Sequence, residues 1–261
     1  MEIIGYFAAL FIGLSLGLIG GGGSILTVPI LVYLFKVDPI LATSYSLFIV
    51  GITSFIGSYQ NFKSKHLEIS KALYFVIPAV ASILFVRKFI LTKIPEIIWM
   101  RNDFSLTKNN LIMIAFGILM LSSSLAMIFK KENITNTSTK LYQLSFIGLI
   151  VGLITGFLGA GGGFLIIPAL LFFGGLEMKN AVGTSLFIIA INSLLGFVGD
   201  IINGIIIDYN LLFGLSCMAI IGVITGTFLL SKIKSNRLKP AFGWFVLIVG
   251  MFILFNEFVK Y

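Results

Sequence analysis

The chain has 261 residues, 58% of them hydrophobic and 11% charged, with a mean hydropathy of +1.10. A soluble domain carries about 25% charged residues, so a soluble enzyme is excluded and an all-α polytopic membrane protein is indicated. The formal net charge is +8, but the basic residues cluster between apolar segments, where they anchor loops and set topology rather than bind nucleic acid.

A membrane-spanning helix needs about 20 apolar residues. In chain order the candidate segments are 3–19, 24–36, 41–60, 70–92, 109–130, 143–159, 163–174, 180–202, 210–231 and 240–259. The N-terminus, Met1-Glu2-Ile3-Ile4, has no basic n-region, so it reads as the first of these segments and not as a removable signal. Segments 24–36 and 163–174 are too short to cross comfortably, and each follows a glycine cluster. Residues 93–108, TKIPEIIWMRNDFSLT, are too charged to span. Ile97, Ile98, Trp99 and Met100 there suit the membrane interface.

The chain repeats itself. GLIGGGGSILTVP (17–29) matches GFLGAGGGFLIIP (156–168) at an offset of 139 residues. The same offset, without a gap, sets ATSYSLFIVGITSFIG (42–57) over AVGTSLFIIAINSLLG (181–196) and LTKI (91–94) over LSKI (230–233). The expected organisation is an N-terminal membrane repeat over 1–131, a polar linker over 132–140 and a C-terminal membrane repeat over 141–261. Each repeat has about four membrane helices, with a glycine-broken or re-entrant first helix. An odd count of crossings per repeat makes the repeats inverted and an even count makes them parallel. The basic residues of the first half fall in two successive loops and do not decide between the two.

Glycine is a poor helix former, about 1 kcal/mol worse than alanine in a helix interior. Backbone that leaves helical geometry inside a bilayer survives only when buried in protein or lining a cavity. Paired breaks in two repeats point to a binding site. Gly20, Gly22, Gly23 and Ser24 form the first break, and Gly159, Gly161, Gly162 and Gly163 the second. The short helix behind each break presents free N–H groups and the positive end of its dipole, which favours an anion. On the next helices Ser46 and Thr53, and Ser185 and Asn192, are seven residues apart, about two turns, so each pair shares a helix face. No Lys or Arg lies in these two helices, so the anion is expected to be held by dipoles and neutral donors. Small residues also serve close helix packing, which is the plain reading of any single Gly, Ser or Thr here. Asp200, whose counterpart at the offset is Asn61, is the candidate for a coupling proton or cation.

Other chemistry finds little support. The lone His66 and lone Cys217 lie far apart and make no metal site or disulfide. GGGGS lacks the Gly-Lys-Ser/Thr of a phosphate loop, and no TVGYG filter is present. No histidine on a later helix serves Ser24 as a base. No enzyme activity and no cofactor are expected.

The two glycine motifs, each followed by the A-x-x-x-S-L-F helix, resemble the TauE/SafE family of membrane permeases, also called the sulfite exporter family. The resemblance covers almost the whole chain and implies a cell (inner) membrane, multi-pass transporter of sulfite or other sulfur-containing or organic anions. It carries the site role to Gly20, Gly22, Gly23 and Pro29, to Gly159, Gly161, Gly162 and Pro168, and to Ser46 and Ser185. Arg87-Lys88 stand where the second half has Gly226-Thr227, so the helix at 70–92 is expected to end early or meet the headgroups sooner. The expected function is a secondary transporter for a small anion, working by alternating access with the substrate between the glycine motifs. The expected partners are that anion, the lipid bilayer and a coupling proton or cation. Whether copies of the chain assemble with one another stays open. A passive anion channel and a non-transporting membrane scaffold are the alternatives.

Overall fold

The computed structural model describes residues 2–101, 104–129, 141–158, 162–232 and 235–259. The linker at 132–140 lies outside these residues. Ten α-helices are described: α1 (Glu2–Ile19), α2 (Gly22–Pro29), α3 (Pro39–Lys63), α4 (Ile69–Phe85), α5 (Lys108–Phe129), α6 (Leu141–Leu158), α7 (Gly163–Phe172), α8 (Met178–Ile202), α9 (Tyr209–Lys232) and α10 (Ser235–Val259). Two of them run on as π-helical turns, α2 into Ile30–Leu34 and α4 into Val86–Ile90. Among the described residues, six helices are long and apolar enough to cross a membrane: α3, α4 with its π turn, α5, α6, α8 and α9. Local chemistry sets their starts. The Asp38 carboxylate accepts from the Ile40 N–H at 2.9 Å with Pro39 in the first turn of α3. Asp208 accepts from the N–H groups of Asn210 and Leu211 before α9. Both are N-caps that satisfy otherwise orphaned donors.

Residues 93–108 contain a hairpin that sequence reading did not anticipate. Strand β1 (Ile97–Arg101) pairs antiparallel with β2 (Phe104–Thr107). β-branched and aromatic residues favour this geometry, and too few apolar residues lie between the charges to make a helix of spanning length. Ile97 and Ile98 are exposed.

The helices pair in a fixed pattern. α1 packs on α9 and α6 on α4; α3 packs on α8, α5 on α10 and α2 on α7. Exchanging α1–α5 for α6–α10 leaves this set unchanged. The bounds of α1 and α6, and of α3 and α8, differ by 139 at both ends. Glycines make the closest of these contacts. A Cβ on Gly13 or Gly17 of α1 would overlap the backbone of α9, and one on Gly222 or Gly226 would overlap α1. On α6, Gly148 and Gly152 press against the carbonyls of Phe75 and Ala79 in α4. In lipid, where apolar surface gives no net drive to pair, such close backbone approach supplies the packing energy.

α3 and α8 form the centre: 67% and 56% of their most apolar stretches are buried, against 39–44% for the other four. They run antiparallel, with Leu47 near Gly196, Gly51 near Leu194 and Gly57 near Leu186. Two hydrogen bonds tie loops across the bundle. The Asp208 N–H donates to the Tyr45 hydroxyl at 2.6 Å, and the Glu68 N–H donates to the Thr184 hydroxyl at 3.0 Å. Tyr45 and Thr184 are themselves 139 residues apart. One end of the bundle thus holds the start of α3, the hairpin and the α8–α9 connection. The other holds the α3–α4 connection, the start of α8 and the end of α9.

Candidate functional site

At the first break the chain turns on Gly20, whose φ of +75° suits glycine and few other residues. The chain then doubles back. A Cβ on Gly23 would strike the Ile12 carbonyl and the Leu16 side chain, and Gly5 near the start of α1 abuts the Phe35 ring. A straight continuation would put Gly23 about 16 Å from Ile12, so α1 and α2 form a helical hairpin. At the second break Gly162 takes the φ of +75° and packs on Thr155, in the last turn of α6. Gly159 and Gly161 lie outside the described residues.

The two breaks meet. The backbones of Gly21 and Gly163 are in contact, leaving no room for a side chain at either position. Gly163 is the first residue of α7, and Gly21 is the N-cap of α2, whose first turn holds Gly22 and Gly23. Two positive helix ends therefore lie side by side. Ser24 is buried and donates to the Gly21 carbonyl at 2.7 Å.

The hydroxyl face lies beside them. A Cβ on Gly20 would sit 2.5 Å from the Ser185 hydroxyl, which donates to Val182 O at 2.9 Å. Thr53 bonds back to Ile49 O at 2.6 Å. Ser46 has no hydrogen-bond partner although it is fully buried, and neither polar atom of the fully buried Asn192 has one. Ser54 and Ser193 on the same two helices are buried and unpartnered too. Buried polar groups without a partner are uncommon and call for an explanation. Here they gather on α3 and α8, the helices next to the breaks.

The structure corrects the expectation for Arg87. Its helix does not stop early: α4 continues through the π turn to Ile90, and Arg87 is 4% exposed. The reason is a partner. Arg87 Nε donates to Asp200 Oδ1 at 2.6 Å, and a terminal nitrogen donates to Asp200 Oδ2. The Ser44 hydroxyl donates to the same Oδ2 at 2.5 Å. Arg87 also donates to Thr43 Oγ1 at 3.3 Å, Ser44 Oγ at 3.2 Å and the Gly156 carbonyl at 3.3 Å. A buried guanidinium persists when paired and fully hydrogen-bonded. The expectation of dipoles and neutral donors did not include this cation, which enters from α4. Gly156 adjoins Thr155, so the ion pair stands one helical turn from the second break. The departures of Arg87 from Gly226 and of Asp200 from Asn61 are each legible at the offset of 139. Their occurring together was the available signal.

The profile of the sulfite exporter family TauE/SafE matches residues 6–256. A probable membrane transporter protein of Xylella fastidiosa (strain Temecula1 / ATCC 700964) is 25% identical over 262 residues, covering 95% of this chain and 93% of that protein. The probable membrane transporter protein YunE of Bacillus subtilis (strain 168) is 29% identical over 217 residues, covering 72% and 73%. The probable membrane transporter protein MJ0441 of Methanocaldococcus jannaschii is 27% identical over 194 residues, covering 72% and 67%. No solved structure matches.

Proposed function

The chain belongs to the TauE/SafE sulfite exporter family and is a membrane transporter; from that premise we propose that it is a secondary transporter for a small anion, working by alternating access between two inverted repeats. The observation that carries this reading is the meeting of α2 and α7 at Gly21 and Gly163. Two helix N-termini converge there among buried hydroxyls, an arrangement that suits a negative group held without a permanent countercharge. The opposite directions of α3 and α8 and the exchange symmetry of the helix pairs support inversion, the usual architecture of such carriers. The family description supports a sulfur-containing anion such as sulfite or an organosulfonate. Lys63, Lys65 and Lys232 share one end of the bundle, and by the positive-inside rule that end faces the cytoplasm.

Labelled sulfite and sulfoacetate, offered to proteoliposomes holding the full chain, test the reading. Saturable uptake by wild type is expected, with uptake lost in Gly22→Leu and Gly163→Leu proteins that still reach the membrane. Gly22 and Gly163 variants that transport like wild type would remove the site. Non-saturating flux would favour a passive channel instead.

A further inference from the structure

We infer that the pocket around Arg87 is an oxyanion site whose resident occupant is the Asp200 carboxylate, and that the transported anion takes that carboxylate's place. This rests on the small-anion reading above and adds a second station to it.

The cradle is built for an oxyanion and not for Asp200 alone. Arg87 presents Nε and a terminal nitrogen in a fork to two oxygens, and Ser44 adds a hydroxyl to one of them. That is bidentate guanidinium recognition, which fits a carboxylate, a sulfite or a sulfonate equally well. The guanidinium is also held in place without Asp200, by the hydroxyls of Thr43 and Ser44 and by the Gly156 carbonyl. Gly156 belongs to the last turn of α6, whose negative end favours a cation. Removing the carboxylate would therefore leave an oriented, buried cation in need of an anion.

The cradle also adjoins the breaks. Gly156 follows Thr155, and Thr155 packs on Gly162 at the start of α7. An anion leaving the two helix N-termini reaches Arg87 past one turn of α6.

Charge balance sets the accompanying step. A buried carboxylate that loses its guanidinium is not stable as an anion. When the substrate binds Arg87, a proton passes from hydronium of the aqueous medium to an Asp200 carboxylate oxygen: one O–H bond of hydronium breaks, one O–H bond forms on Asp200, and water is left. Among the described residues, the neighbours of Asp200 leave no other group to compensate it. α3 brings the neutral hydroxyls of Thr43 and Ser44, and the π turn brings Arg87. Lys88, next to Arg87, lies over the Phe89 ring. The α7 helix has no charged residue. On α10, Glu257 accepts from the Tyr33 hydroxyl at 2.9 Å. Asp38, Glu96 and Lys108 line a separate pocket of about 460 Å³ at the hairpin.

The test uses the purified full chain and two probes, methanesulfonate, whose charge is constant between pH 5 and 8, and acetate. Wild type should bind methanesulfonate about tenfold more tightly for each unit the pH falls, as expected when one proton accompanies each anion. Asp200→Asn, which mimics the protonated acid, should bind about tenfold more tightly than wild type at pH 7.5 and lose most of that pH dependence. Asp200→Ala should melt at a lower temperature than wild type and be restored by acetate, whereas Arg87→Gln/Asp200→Ala should not respond. Asp200→Asn binding with wild-type affinity and pH dependence would overturn the cradle and leave the anion reading standing. No response to either probe in wild type or either Asp200 variant would overturn both.

Discussion

Arg87 and Asp200 lie across α4 and α8 from one another; the residues 139 positions away, Gly226 and Asn61, do something else. Gly226 presses against the backbone of α1 at Leu14 and Gly17. Asn61 turns its amide back to the Gly57 carbonyl of its own helix at 2.9 Å. The same helical frame therefore carries a charged cradle at one place and bare backbone contact at the other. The α1–α9 contact has glycines on both helices, whereas the α6–α4 contact has its closest glycines on α6. A guanidinium needs the space that a second row of glycines removes. Charge and close packing are alternatives at this position, and the chain uses one in each half.

The largest expected effect comes from forcing charge into the packed place. A Cβ at 226 already overlaps the Leu14 carbonyl, so Gly226→Arg should cost well beyond the roughly 1–3 kcal/mol of ordinary overpacking. Size-exclusion of the detergent-solubilised protein should show no folded peak; a wild-type profile would mean that α1 and α9 can part. Next comes the charged place itself. Arg87→Ala or Asp200→Ala should each destabilise by about 3–5 kcal/mol, the cost of stranding a buried partner. The double variant Arg87→Ala/Asp200→Ala strands neither charge, so its loss of unfolding free energy should be smaller than the sum of the two single losses. Strict additivity in that cycle would show that the two residues do not depend on each other. The smallest effect concerns the two hydroxyls that hold loops. Tyr45→Phe and Thr184→Val each remove one hydrogen bond and should each cost about 1 kcal/mol. Losses differing several-fold would break the equivalence of the two latches.

Much of this frame was legible in the residues, because length and hydropathy decide what crosses a bilayer. Each of the ten apolar segments contains a helix, and the glycine runs mark where the first helix of each half stops. The sense of the turn at Gly20 was not legible. It depends on Gly23 lying against Ile12, a tertiary contact that local propensity does not encode. The hairpin at 97–107 is not legible because its apolar residues are too few and too interrupted for a spanning helix, and their suiting the membrane interface does not say that they pair as strands. Arg87 was misread for a different reason. A basic residue near a helix end normally reaches headgroups, and its neutralising partner is 113 residues further along the chain. Comparing the halves position by position locates both departures; geometry alone shows that they are one.

The pairing of α1 with α9 has a consequence for how the protein is made. The glycine face of α1 is translated about 190 residues before the helix that covers it, Tyr209–Lys232. α6, by contrast, finds α4 already in place. The α1–α9 contact therefore cannot close until the last third of the chain is made.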